Sequence, residues 1–178
     1  MSTHRCECID IIVEALEAAG RRVSEVRQVI SPHLTRRFKV AKATLSGAKT
    51  HRMYHGTVPT AAESIAADGF RIDHSHVGAF GAGVNLTPDV KHTLLYAPSG
   101  KKAACLVVCD VAISRMHANV SRPSNDPSAT SSIPDHVRPM RGYDAMYGAG
   151  GEIVVVPCCA RVLPRWIVWH QKRETSHP

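Results

Sequence analysis

Apolar residues recur at helical spacing near the start of the chain, with Ile9, Ile12, Val13, Leu16 and Ala19 on one face and Gly20 as a stop. This pattern predicts a helix over residues 9–19. Residues 23–30 alternate, with Val23, Val26 and Val29 apolar, and predict a strand. Ser31 followed by Pro32 is a helix start, because a serine side chain caps free amides and proline tolerates the first turn. That helix buries Leu34, Phe38 and Ala41. A short strand is expected over residues 52–57, ending at Gly56. A helix follows over 60–68, with Thr60 and Glu63 spaced as a capping box and Gly69 as its end.

Further along, residues 89–96 predict a helix, and the valine-rich run 103–113 a buried strand. Residues 114–143 lack periodicity and are rich in Ser, Pro, Asn and Asp, which predicts a long loop. Strands are expected over 152–156 and 165–170, then a disordered tail over 172–178. No internal repeat is evident. The class is α+β, with strands concentrated in the second half.

Length and composition narrow the picture modestly. A chain of 178 residues with 44% hydrophobic content fits one globular domain with an ordinary core. No apolar run is long enough for a membrane-spanning helix and no signal-peptide core is present, so an intracellular protein of cytoplasm or nucleus, without a membrane partner, is expected. The formal charge of +7 is scattered and forms no nucleic-acid patch by itself. The six cysteines fall as Cys6-x-Cys8, Cys105-x3-Cys109 and Cys158-Cys159, none with zinc-site spacing, so no metal is expected. In apolar strands they act as small hydrophobes.

Few residues are candidates for chemistry. His55 stands before Gly56 at a strand end, either as a satisfied half-buried histidine or as an imidazole beside an exposed backbone amide. Gly78, Gly81 and Gly83 could cradle a nucleotide or simply turn the chain. Glu152 heads the strand Ile153-Val154-Val155-Val156. A carboxylate there is either a solvated strand end or held for a purpose, since burying it unpaired is costly. No serine elbow, zinc-protease or Walker pattern is present.

Taken in order, these segments resemble the catalytic domain of poly(ADP-ribose) polymerases and related ADP-ribosyltransferases. Met53-Tyr54-His55-Gly56-Thr57 is similar to the family's His-Gly-Thr/Ser motif, and Ile65 with Gly69-Phe70 to the Ile and Gly-Phe/Leu that follow. Phe80-Gly81-Ala82-Gly83-Val84 is similar to its Phe-Gly-x-Gly-Ile/Val step, and Tyr96 stands at its second tyrosine. Tyr143-Asp144-Ala145 resembles its Asp-Ser pair, Glu152-Ile153-Val154-Val155 its Glu-x-Val-Val strand, and Val162-Leu163-Pro164-Arg165-Trp166-Ile167-Val168 its ending. The family's first tyrosine is replaced by Asn85, giving His-Asn-Glu for His-Tyr-Glu.

The resemblance implies a fold of mostly antiparallel split β-sheets with flanking helices. It divides the chain into an N-terminal helical extension (1–21), a catalytic domain (22–171) and a tail (172–178). It implies NAD as co-substrate and no metal. His55 would bond the adenosine ribose, and Gly56 would clasp the nicotinamide carboxamide through its backbone, with the Thr93 hydroxyl as a third contact. Tyr96 would stack on the nicotinamide ring. Thr57 and Asn85 complete the NAD-binding positions.

Glu152 would bond the nicotinamide ribose and stabilise the positive charge that develops when the bond to nicotinamide breaks. His55 and Glu152 are thus the expected catalytic pair. The implied activity is mono-ADP-ribosylation of a macromolecular acceptor, a protein sooner than a nucleic acid, with release of nicotinamide. Transfer of a single unit is expected because the stretch between Phe70 and Gly78 is short. The alternatives are an NAD glycohydrolase, or a weak or inactive module that binds ADP-ribose or RNA, which Asn85 favours. An RNA 2′-phosphotransferase fits less well, since Ser75-His76-Val77 is a poor match to its His-Val-His element.

Overall fold

The computed structural model describes residues 7–72, 83–96, 103–118, 142–148 and 152–173. Within them the chain forms two four-stranded sheets, three α-helices and two short 3-10 helices. In chain order the elements are α1 (Glu7–Ala18), β1 (Arg21–Gln28), α2 (Pro32–Ala43), β2 (Lys49–Thr57), α3 (Pro59–Asp68), β3 (Val84–Leu86) and β4 (Ala104–Ile113). Then come β5 (Met116–Ala118), β6 (Ala145–Gly148), β7 (Ile153–Val156) and β8 (Val162–Lys172). The class is α+β, and every strand pair is antiparallel except β5 with β6.

The first sheet runs in the order β1-β8-β4-β2, the second β3-β7-β6-β5. The central strand β4 is buried on both faces, as its unbroken apolar run predicts. Cys105, Val107, Cys109, Val111 and Ile113 point one way, into a core shared with α3 and the second sheet. Leu106 and Val108 point the other way, against Ile9, Ile12 and Leu16 of α1. These three α1 side chains are almost fully buried, worth about 1.5–3 kcal/mol each. Burial pushes the Cys105 thiol up to about 12 and raises that of Cys109 as well, so both behave as apolar packing.

Local signals account for several element ends. Ser31 caps α2 by accepting from Leu34 N–H at 3.3 Å, with Pro32 in the first turn. Gly69 ends α3 at φ 80, a left-handed conformation that costs glycine little, and its N–H returns to Ile65 O at 2.9 Å. The capping box expected at Thr60 does not form. Pro59 opens α3 one residue earlier, Val58 takes the cap position without a side-chain bond, and Glu63 is drawn instead to Arg27 at 2.5 Å. Arg27 also lies over the Trp169 ring at 4.8 Å, so this pair fastens α3 to β1 and β8.

Other differences concern short elements. Residues 91–96 form a 3-10 helix rather than the expected α-helix. The stretch 114–143, read as loop, holds β5, while β3 and β6 had no pattern to announce them. β8 begins three residues earlier than expected and runs through Lys172, and Arg173 N–H still bonds Gly20 O at 3.0 Å. That strand, and not a tail, therefore takes in residue 172. Gly78 and Gly81 with Phe80, and the tail from 174, lie outside the described residues. No helix among the described residues is long and apolar enough to cross a membrane.

Candidate active site

The site forms where the two sheets meet. β2 is the outer strand of the first sheet, and its free edge reaches β3 through one reciprocal pair of bonds. Tyr54 N–H donates to Thr87 O at 2.8 Å, and Thr87 N–H donates to Tyr54 O at 2.9 Å. Backbone groups alternate along a strand, so with Tyr54 turned toward Thr87, the N–H and C=O of Gly56 face the same outer edge. Beyond Tyr54 the sheets separate. A small cleft, partly open to solvent, is lined there by Tyr54, His55, Gly56, Asn85, Leu86, Thr87 and Ile153.

His55 is fixed from two sides. Its Nδ1 lies 2.8 Å from the backbone oxygen of Asn85. A carbonyl carries no proton, so Nδ1 is the donor and the neutral ring keeps Nε2 as an acceptor. The Phe70 ring meets it edge-on, centroids 5.2 Å apart at 89°. Burial lowers the pKa of this imidazole below the ordinary histidine value, outweighing the bond to Asn85, which raises it.

Gly56 is required by space. A Cβ there would stand 2.5 Å from the backbone oxygen of Thr93 and 3.2 Å from its Cβ. The 3-10 helix Lys91–Tyr96 therefore rests directly on this strand. Thr93 is buried, and its hydroxyl donates to Val90 O at 2.5 Å, so its oxygen can only accept from a bound group unless the hydroxyl turns. Tyr96 closes this short helix, with its side chain outside the described part. Asn85 occupies the middle of β3, and its side chain donates to Gly83 O at 3.4 Å. Thr57 follows Gly56 in β2 but is not part of the cleft lining.

Glu152 stands at the turn before β7, one residue from the cleft-lining Ile153, with its side chain 62% exposed. Its Oε2 lies 3.7 Å from Nδ1 of His92. His92 and Thr93 are adjacent, so one short helix touches both Gly56 and Glu152 and brings the two ends of the site together. Sequence reasoning missed His92, as well as the lining residues Tyr54, Leu86, Thr87 and Ile153. No signal in the chain marks His92, because its pairing with Glu152 exists only in three dimensions. Tyr54 and Leu86 flank expected site residues and could have been inferred as neighbours. Among the described residues no group of three metal-ligating side chains comes together.

A split pair of mostly antiparallel sheets with a histidine-glycine strand edge over the cleft is the architecture of ADP-ribosyltransferase catalytic domains. The chain belongs to the poly(ADP-ribose) polymerase catalytic domain family, whose model matches residues 11–137. The match begins inside α1. Membership makes this a protein of the NAD-using ADP-ribosyltransferase family. No curated protein matches the chain individually.

Proposed function

We propose that this protein transfers a single ADP-ribose unit from NAD to a macromolecular acceptor, a protein sooner than a nucleic acid, and releases nicotinamide. The observation that carries this reading is that His55, Gly56 and Asn85 share one cleft with Ile153, the residue next to Glu152. In this reading the outward-facing N–H and C=O of Gly56 hold the nicotinamide carboxamide, and Nε2 of His55 accepts from a ribose hydroxyl. The Thr93 hydroxyl and the Tyr96 ring assist at the nicotinamide, and Thr57 and Asn85 border the dinucleotide. Glu152 bonds the nicotinamide ribose and stabilises the positive charge formed as the glycosidic bond breaks. Holding both ends of NAD supplies the positioning. In this reading residues 22–171 form the transferase unit and residues 1–21 an N-terminal extension, whose α1 packs against β4 and β8.

A second reading has its own support. Asn85 replaces an aromatic wall with a small amide bonded to Gly83 just ahead of its strand, which suits a weakly active or inactive module that binds ADP-ribose or RNA. Water as acceptor would make the same chemistry an NAD glycohydrolase. One assay separates the three: incubation with NAD labelled in its adenosine half, with protein and RNA acceptors present. Transfer gives nicotinamide and label on protein. Hydrolysis gives nicotinamide with free labelled ADP-ribose, and the binding module gives neither.

A further inference from the structure

We infer that His92 is the positioning residue for the Glu152 carboxylate, holding it at the mouth of the cleft. This rests on the proposed role of Glu152 in NAD cleavage. Three observations converge on it. Glu152 is 62% exposed at a turn, and among the described residues His92 is the one side chain its carboxylate meets, at 3.7 Å. His92 is only 14% exposed, so its packed ring fixes the freer partner, not the reverse. Finally, His92 shares a 3-10 helix with Thr93, whose backbone oxygen lies so close to Gly56 that a methyl group would not fit between them.

The helix is therefore a spacer. One residue of it sets the distance to the strand edge proposed to hold nicotinamide, and the next sets the position of the carboxylate proposed to face the ribose. The bond that breaks joins the nicotinamide ring to that ribose. The two contacts must be held at a fixed separation for the carboxylate to meet the developing charge, and an exposed glutamate at a turn has no such fixity by itself. The His92 ring, anchored on the short helix 3.7 Å from the carboxylate, supplies it. His92 needs no contact with NAD to do this.

The test compares the full chain with His92→Ala and His92→Lys in steady-state nicotinamide release, after thermal unfolding shows that each variant folds. Loss of positioning in His92→Ala lowers kcat by about tenfold or more with KM for NAD nearly unchanged. His92→Lys, which places a cationic donor on a flexible stem within reach of the carboxylate, recovers much of kcat. Unchanged kcat in His92→Ala, a rise in KM alone, or a lysine variant no better than alanine would each overturn the inference. A separate readout needs no turnover: the ring-proton NMR signals of His92, assigned by their loss in His92→Ala, shift in Glu152→Gln. Signals that stay in place overturn the pairing itself. Absence of nicotinamide release from the unaltered protein instead removes the proposed function, so the two failures are told apart.

Discussion

The Nδ1–H of His55 donates to the backbone carbonyl of Asn85 at 2.8 Å, joining β2 to β3 where the two sheets part. The bond runs from a side chain to a main chain, so it fixes the ring without depending on what side chain stands at position 85. It also sets the tautomer, leaving Nε2 with its lone pair as the free nitrogen. A change of side chain at position 85 thus leaves the support of the histidine intact.

The protonation of His55 gives a pH signature. Burial lowers its pKa below the ordinary 6.5, so the ring stays neutral at and somewhat below that pH. NAD affinity is expected to hold steady from neutral pH through 6.5 and to weaken only as pH falls through the lowered pKa, where Nε2 becomes a donor and can no longer accept. A calorimetric titration series across this range checks it, and weakening that begins above 6.5 contradicts the assignment. His55→Ala is expected to weaken NAD binding by about tenfold or more at neutral pH, the loss of one buried hydrogen bond.

Gly56→Ala should fail for a steric reason. The added methyl would stand 2.5 Å from the Thr93 backbone oxygen, and backbone cannot swing aside as a side-chain tip can. The expected cost is about 1–3 kcal/mol of stability, together with loss of NAD binding as the 3-10 helix is pushed off the strand edge. Denaturant unfolding paired with NAD titration measures both. A variant with wild-type stability would show that this helix is not seated on β2.

Much of this fold was legible because long elements carry their own periodicity. Ile9, Ile12 and Leu16 mark α1, Ser31-Pro32 marks the start of α2, and the apolar run of β4 marks a strand covered on both faces. The three-residue strands β3 and β5 are too short to show a period, and they exist only because neighbouring strands supply their hydrogen bonds. The cap at Thr60 was misread because Pro59 is better suited than threonine to the first helical position. Of the candidate site, His55, Gly56 and Glu152 stand out by motif. The seat of Thr93 on Gly56 and the contact of His92 with Glu152 are distances between segments remote in sequence, which no local pattern encodes.

Asn85 offers a test of how far the cleft depends on aromatic stacking. Asn85→Ala should leave the His55 ring in place, because the bond from His55 goes to the main chain. Asn85→Tyr should tighten NAD binding, since ring stacking contributes about 1–3 kcal/mol. Measured KM values for NAD across the three proteins decide the point. Equal values in the asparagine and tyrosine forms would mean that the cleft draws nothing from an aromatic wall here.

Glu152 separates chemistry from folding cleanly. Its side chain is 62% exposed and precedes β7 rather than lying within it, so Glu152→Gln should leave the melting temperature nearly unchanged. The substitution keeps the shape and removes the charge. Nicotinamide release is expected to fall by about a hundredfold or more, the scale of removing one electrostatic contact to a transition state. Release at the wild-type rate would take the carboxylate out of the mechanism.

His170 predicts a loss of stability in mild acid that has nothing to do with the active site. It lies in β8, buried to 2% exposure, with its Nδ1 lacking a hydrogen-bond partner among the described residues. Burial, and secondarily the charge of Arg21, lowers its pKa from 6.5 to about 4. As pH falls below 6.5 the unfolded chain takes up a proton that the folded chain refuses, so unfolding is favoured. Stability from this group is complete above 6.5 and is lost progressively down to about 4. At about 1.4 kcal/mol per pH unit the loss has an upper bound of about 3 kcal/mol. His170→Leu removes both the titration and the unpartnered nitrogen, and should flatten this part of the stability curve while matching or exceeding the wild type at neutral pH. Urea unfolding at neutral pH and at pH 5 measures it, and an equal acid loss in both proteins would place the responsible proton elsewhere.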